Sequence, residues 1–389
     1  MKRNSKLFLL LFLGALSAFG PFVIDLYLPA LPLISHSFSA SVSLTQLTLT
    51  TSMAGLAVGQ LFIGPISDKF GRKLPLTISL IIYTISTIFI FFTKSIEMFI
   101  FMRVIQGFSS AGSLVIARAI VGDLYSGGEL RKFFSLMMVI NSLAPILSPV
   151  IGSFLIKVTD WRGIFVVLSL IGITLFIANF NFKESLPEHR RFKVPLLETY
   201  AIYKEIFVYK KFMIFVGILT FSLGAMFAYI SASSFILQEH FSLDPTQYAL
   251  CFGLNGAALS FAAFISSKLN EAKALKIGIF GLFGVSVFLF LTFSLNFGLY
   301  AVLAGFFMQL FFSGFIFPTA SALAMNCGRK YAGSASAVLG FCPFLLGGVV
   351  SPLVGLGEIF FSTPAVIFSC AFVVFVLFFM AKRHLKEQN

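Results

Sequence analysis

An aspartate stands near the end of the first long apolar run of this chain, in Val23-Ile24-Asp25-Leu26-Tyr27-Leu28-Pro29-Ala30-Leu31-Pro32. A carboxylate in hydrocarbon costs at least about 2.5 kcal/mol on insertion scales, so it persists where it has a partner or a use. Two bases, Arg103 and Arg118, stand inside a later apolar run. The other acids fall in polar stretches or near the ends of apolar ones, which leaves Asp25 as the one deeply placed carboxylate. Burial favours its neutral form and a nearby guanidinium its charged form, so geometry can switch it. That is the chemistry of a proton carrier. The alternative is a static partner for Arg103, or a hydrogen bond that steadies the helix. Arg103 in turn either tunes the acid or ties down carbonyls. Arg118, about four helical turns further on, either faces a cavity and draws anionic or polar groups, or snorkels to the inner surface.

Other chemistries find little support. Cys251, Cys327, Cys342 and Cys370 lie in apolar runs with no C-x-x-C spacing, which argues against metal binding and disulfides. His36, His189, His240 and His384 are scattered, so neither a metal site nor a hydrolytic constellation is expected. The phosphate-cradling G-x-x-x-x-G-K-[ST] pattern is absent, which disfavours direct ATP drive.

The elements that position these groups follow from composition. Of 389 residues, 58% are hydrophobic and only 11% charged, against about 25% charged in a soluble domain. The chain reads as an all-α integral membrane protein. Counting runs of about 20 apolar residues gives twelve spans: 7–33, 44–66, 74–93, 97–122, 132–156, 161–181, 211–237, 246–267, 275–295, 297–325, 331–353 and 362–381. The first continues past signal-peptide length without a cleavage site, so it is expected to be retained. Pro29 and Pro32 favour a kink near its end. The net charge of +13 fits the positive-inside rule better than nucleic-acid binding. With the N-terminus inside, only Lys94, Lys157 and Arg162 fall on the outer side. Both termini are therefore expected in the cytoplasm.

Six spans precede the polar stretch 183–210 and six follow it, so the predicted organisation is a bundle over 1–182, a cytoplasmic linker, and a bundle over 211–389. Leu196–Phe207 reads equally as an amphipathic surface helix or part of a solvated tether. The halves echo each other: Ile66-Ser67-Asp68-Lys69 matches Ile265-Ser266-Ser267-Lys268, and Ser148-Pro149-Val150-Ile151-Gly152 matches Ser351-Pro352-Leu353-Val354-Gly355. Repeated halves are the signature of alternating-access transporters, with the substrate near the midplane between them.

The strongest local signal is Gly64-Pro65-Ile66-Ser67-Asp68-Lys69-Phe70-Gly71-Arg72-Lys73, expected as the short loop between spans two and three. Its glycines permit tight turns and close approach. Asp123, at the inner end of span four, is placed to meet Arg72. Gly64, Asp68, Gly71, Arg72, Lys73 and Asp123 together read as a conformational latch whose ion pairs form in one state and break in the other.

This stretch resembles the loop signature G-x-x-x-D-[RK]-x-G-R-[RK] of the major facilitator superfamily. Arg103-Val104-Ile105-Gln106-Gly107 resembles the R-x-x-Q-G motif of its drug/proton antiporters. Ala144-Pro145-Ile146-Leu147-Ser148-Pro149-Val150-Ile151-Gly152 resembles their span-five motif, with Ala144 or Ser148 where glycine is common. Asp25-Leu26-Tyr27-Leu28-Pro29-Ala30-Leu31-Pro32 is similar to the D-x-Y-L-P-A-L-P stretch of the Bcr/CflA (bicyclomycin and chloramphenicol resistance) subfamily. The second-half copy of the loop signature is degraded, with Ser267, Asn270 and Glu271 in place of Asp68, Gly71 and Arg72.

The resemblance implies two pseudo-symmetric six-helix bundles around a central cavity, in the inner (plasma) membrane. It implies a monomer that exchanges incoming protons for outgoing drug-like molecules, with the proton gradient as energy source and no cofactor. Asp25 would carry the proton and Arg103 modulate it. Candidate substrate contacts are Tyr27, Gln46, Met53, Arg118, Asn141, Tyr229, Ser233, Asn255 and Gln309, polar or bulky groups within spans. Polar groups there also serve as glue between helices. A metabolite exporter or proton symporter is the alternative on the same fold; an enzyme or a channel is disfavoured.

Overall fold

The computed structural model describes residues 4–125, 144, 147–191, 203–328 and 332–385. Ten of its helices are long and apolar enough to cross a membrane, or eleven if a bent pair counts as one span. The expected fifth span, 132–156, lies mostly outside the described residues; its end is an apolar helix, Leu147–Val158.

The chain divides into two compact units: Met1–Ala40 with Thr51–Thr199, and Ser41–Thr50 with Tyr200–Asn389. The first contains α1 (Lys6–Asp25), α2 (Leu31–Phe38), most of α3 (Val42–Phe70), α4 (Lys73–Phe91), α5 (Ile96–Leu124), α6 (Leu147–Val158) and α7 (Trp161–Asn181). The expected kink in the first span is a full break. α1 ends at Asp25, a 3-10 turn spans Leu28–Ala30, and α2 begins with Pro32 in its first turn. The segments Lys6–Gly20 and Phe22–Ser37 are bent by 41°. That bend falls at residue 21, ahead of the 3-10 turn; Pro29 and Pro32, lacking the N–H that would continue the ladder, interrupt the α-helix after Asp25 instead.

Small residues set the seams of this unit. A Cβ on Gly107 would strike the Ser52 carbonyl, one on Gly55 the Val104 carbonyl, and one on Gly59 the Phe108 carbonyl. Helices α3 and α5 therefore approach backbone to backbone, as small-residue seams allow. Gly152 does the same for α6 against the break: its added Cβ would meet the Leu26 carbonyl. At one end of the unit Phe38, Phe99, Trp161 and Phe165 form an aromatic cluster with centroids 5.4–6.2 Å apart.

The second unit contains α8 (Lys210–Ser234), which runs on through a π-helical turn Phe235–His240, then α9 (Pro245–Ser266), α10 (Glu271–Ser294), α11 (Leu299–Cys327), α12 (Ala332–Leu353) and α13 (Ile359–Leu385). Its core gathers Phe212, Phe215, Leu219, Leu275, Ile316, Leu323 and Phe378. Of the expected amphipathic stretch Leu196–Phe207, residues 196–202 lie outside the described residues; 203–208 are helical and bury Ile206 in this core. The first turns of α3 belong to this unit as well. Gln46 Nε2 donates to the Ser231 carbonyl at 3.0 Å, and Gly355 lies against Gln46 and Ser43.

Candidate functional site

Asp25 is the last residue of α1 and only 5% exposed. Among the described residues no hydrogen bond or ion pair reaches its carboxylate. The position combines an unpaired acid with a helix end, where α1's last carbonyls lack intrahelical donors. Pro29 sharpens this, because it cannot offer the N–H that the Asp25 carbonyl would otherwise accept.

Arg103 is fully buried on α5 and does not form an ion pair with Asp25. Its Nη1 donates to the Val23 carbonyl at 3.2 Å and to Gln106 Oε1 at 2.6 Å, while the guanidinium carbon sits 4.3 Å from the Tyr27 ring centroid. Gln106 Nε2 donates onward to Thr87 Oγ1 at 2.8 Å. The R-x-x-Q spacing places both side chains on one helix face. Arg103 thus grips the helix that ends at Asp25 through that helix's backbone, two residues before the acid, and through the ring two residues after it. The cation–π contact in a desolvated place is worth about 2 kcal/mol.

At the signature stretch Gly64 to Lys73 the structure corrects the expected loop. α3 continues to Phe70, so Gly64 to Phe70 are its last turns and only Gly71 and Arg72 connect it to α4. Gly71 has φ +89°, a conformation open to glycine. Gly64 meets only ordinary van der Waals contact at 3.6 Å and is not required for close approach. Arg72 reaches both expected acids. Its Nη1 donates to Asp68 and to Ser67 Oγ, and its Nε and Nη2 donate to Asp123 at 2.9 and 3.3 Å. Burial works against the Arg72 charge, but Asp123 and Asp68 outweigh it and raise the guanidinium pKa above its ordinary value. Lys73 does not join this cluster; its Nζ donates to the Phe180 carbonyl at 3.0 Å.

The remaining candidates separate into groups. Tyr27 and Met53 are buried in the first unit, and Arg118 is exposed on α5. Asn141 lies outside the described residues. In the second unit Asn255 Nδ2 donates to Tyr229 Oη at 2.8 Å, and Ser233 Oγ lies 3.3 Å from Tyr248 Oη. Tyr229 also packs on Phe252 and Phe306. Gln309 Nε2 donates to the Ala225 carbonyl at 2.8 Å. Gln46 and Gln309 therefore stitch helices together through backbone carbonyls.

Residues 7–352 match the family model described as Major Facilitator Superfamily. The chain belongs to the major facilitator superfamily. It is 36% identical to the uncharacterized MFS-type transporter YdgK of Bacillus subtilis over 91% of this chain and 90% of that protein. It is 28% identical to the bicyclomycin resistance protein homolog of Haemophilus influenzae over the full length of both, and 26% identical to multidrug resistance protein D of Escherichia coli over 91% and 90%. Among solved structures, a bacterial homolog of the human lysosomal transporter Spinster aligns with TM-score 0.77 at 14% identity, covering 98% of each chain. The xylose transporter XylE of E. coli aligns at 0.73 and 13%, over 97% of this chain and 98% of that one. The protein is thus a multi-pass membrane transporter and not an enzyme, and the neighbours share its fold.

Sequence reasoning missed several groups in this facilitator. Gly55 and Gly59 form a G-x-x-x-G pair, a pattern that signals close helix packing in membranes. Glu184 and Ser185 were hidden in a polar stretch read as linker. Glu184 Oε1 accepts from the Arg72 N–H at 2.9 Å and Oε2 from the Lys73 N–H at 3.0 Å, while Ser185 Oγ donates to Asp123 Oδ2 at 3.0 Å. No local spacing links these residues to the signature; only the fold does.

Proposed function

We propose that this transporter is a proton-coupled antiporter that expels drug-like or amphipathic small molecules by alternating access. The observation that carries the reading is Asp25: a buried acid, without a counter-charge among the described residues, at the break of the first span. Discontinuous helices in transporters put coupling-ion and substrate groups at such breaks. An acid there exchanges charge most simply by taking and releasing a proton. Arg103, committed to Val23, Gln106 and Tyr27, modulates it by fixing the helix end rather than by neutralising it.

The names of the relatives support the substrate class, since two of them are resistance proteins for bicyclomycin or for multiple drugs. Tyr27, Met53, Arg118, Tyr229, Ser233 and Asn255 are the residues proposed to meet substrate, with Asn141 beyond the described region. Two six-helix halves, 1–182 and 211–389, would rock about this site, linked by 183–210. The latch residues Asp68, Arg72 and Asp123 bias the inner side. The unit works as a monomer in the plasma membrane with both termini cytoplasmic, drawing on the proton gradient without a cofactor.

The test is transport in proteoliposomes with labelled bicyclomycin and an imposed pH gradient. Asp25→Asn should insert and fold, retain counterflow exchange, and lose uphill efflux. Undiminished uphill efflux by that variant would sink the proton-carrier role. Protons moving in the same direction as bicyclomycin would favour the symporter instead.

A further inference from the structure

We propose that the strap leaving α7, through Glu184 and Ser185, is a positioning device for the Arg72–Asp123 cluster and thereby sets the rate of alternating access. The inference rests on the transport reading above but not on its proton coupling. Three observations carry it. First, α4 has no cap of its own: Arg72 occupies the N-cap position and makes no side-chain capping bond. The Glu184 carboxylate supplies the cap from 112 residues away, accepting from the Arg72 and Lys73 N–H groups, and also from its neighbour Leu186 N–H at 2.9 Å. A carboxylate at a helix N-terminus, held by two amides, is a charge-assisted and dipole-favoured contact. Second, Ser185 Oγ donates to the same Asp123 oxygen that accepts from Arg72 Nε. The strap therefore holds both partners of the long-range ion pair, one by backbone and one by carboxylate. Third, the strap is built in rather than solvated: Phe182, Ser185 and Leu186 are buried, and Asn4 clamps its start by donating to the Asn181 carbonyl and accepting from the Lys183 N–H. Gly71 completes the fit, since a Cβ there would lie 2.6 Å from Glu184 Oε2.

Arg72 thus has its main chain fixed by the end of α7 and its side chain fixed by α3 and α5. A helix movement that breaks the Arg72–Asp123 pair has to work against the strap, and one that remakes it is guided by it. Glu184 and Ser185 touch no transported atom; they act through Arg72 and Asp123.

The experiment uses the full chain in lipid nanodiscs and proteoliposomes, comparing wild type with Glu184→Gln, Ser185→Ala and, as a control from the exposed part of the same strap, Glu188→Gln. Hydrogen–deuterium exchange is read at the Arg72 and Lys73 amides, and labelled bicyclomycin counterflow gives maximal rate and KM. Glu184→Gln should speed exchange of those two amides at least tenfold and lower the maximal counterflow rate about tenfold with KM within twofold. Ser185→Ala should lower the rate about threefold, Glu188→Gln should change neither, and Glu184→Asp should recover part of the loss. Unchanged amide exchange in Glu184→Gln overturns the proposal whatever bicyclomycin does. So does a normal maximal rate, or a loss that appears in KM or only in the yield of folded protein. Bicyclomycin refused by wild type would overturn the substrate choice, and uphill efflux by Asp25→Asn the coupling, without touching the strap.

Discussion

Where α3 hands over to α4 the chain reads Ser67-Asp68-Lys69-Phe70-Gly71-Arg72-Lys73; where α9 hands over to α10 it reads Ser266-Ser267-Lys268-Leu269-Asn270-Glu271-Ala272. In the first, Arg72 joins carboxylates from two helices, and Glu184 caps α4 from the far end of α7. In the second, Asn270 caps its own helix by accepting from the Ala272 N–H at 2.9 Å, and Lys268 lies 4.3 Å over the Phe264 ring. No ion pair joins this second connection to another helix among the described residues. A turn that satisfies itself survives any rigid motion of its neighbours unchanged. A turn whose partners sit on α5 and beyond α7 registers where those helices are. The ion pairs that tie such a turn to other helices are therefore found, among the described residues, at the first connection and not at its degraded copy.

Arg72→Ala tests this contrast most severely. It removes the one side chain that, among the described residues, bridges Asp68 and Asp123, leaving two acids without that counter-charge. Breaking a largely buried pair from one side costs about 3 kcal/mol, and each 1.4 kcal/mol is tenfold in rate, so initial efflux from vesicles should fall about 100-fold. Arg72→Lys keeps the charge but loses the two-pronged contact with Asp123, and should fall about tenfold. Glu271→Ala, at the matching place in the second half, should stay within about twofold, since its side chain holds nothing comparable. Equal losses at both positions would remove the asymmetry.

The interiors of the two halves offer a second, smaller contrast. Arg103 is buried and spends its guanidinium on Val23, Gln106 and Tyr27. Gln309 is buried too, but makes a single donation, to the Ala225 carbonyl. Truncating Arg103 to Ala strands the Gln106 carbonyl oxygen and a backbone carbonyl, so it should destabilise the protein by about 2 kcal/mol. Gln309→Ala should cost about 1 kcal/mol, near the ordinary value for a polar tie between membrane helices. The single tryptophan, Trp161, lies buried in the first unit and reports unfolding by its fluorescence. Equal costs would mean that Arg103 is held no more firmly than an ordinary tie.

These contrasts were legible in the sequence to different depths. A lone acid in an apolar run is visible without a structure, because hydrocarbon tolerates so few charges; Asp25 needed only counting. The Arg72–Asp123 contact was visible because a conspicuous motif and a helix-end acid fall at span ends on the same predicted side. The ends of α3 were not, because counting apolar residues stops at Asp68 and Lys69, whereas the helix continues by hydrogen bonding and satisfies those charges at its rim. For Arg103 the sequence left open whether it pairs with Asp25 or ties down carbonyls, and the structure shows the carbonyl tie, with the Tyr27 ring contact added. Glu184 escaped because polar, proline-containing stretches after a span look like linkers, and a capping carboxylate 112 residues from its helix carries no periodicity.

The smallest effects probe backbone alone. Gly71 stands at φ +89°, while Asn270, its counterpart, stands at φ −62°. Gly71→Ala forces a side chain into the left-handed region and towards Glu184, and should destabilise by about 1 kcal/mol. Asn270→Gly loses a cap that glycine nearly replaces, and should cost only a few tenths of a kcal/mol, ~0.3. Gly64 sits inside α3 with room for a methyl group, its nearest neighbour being Val115 at 3.6 Å. Gly64→Ala should therefore be neutral, or stabilise by up to about 0.5 kcal/mol through helix propensity. Thermal unfolding of the three variants separates the cases. If Gly64→Ala is as harmful as Gly71→Ala, the signature needs its first glycine for a conformation other than the helical one described, and that residue becomes the place to look for the second state.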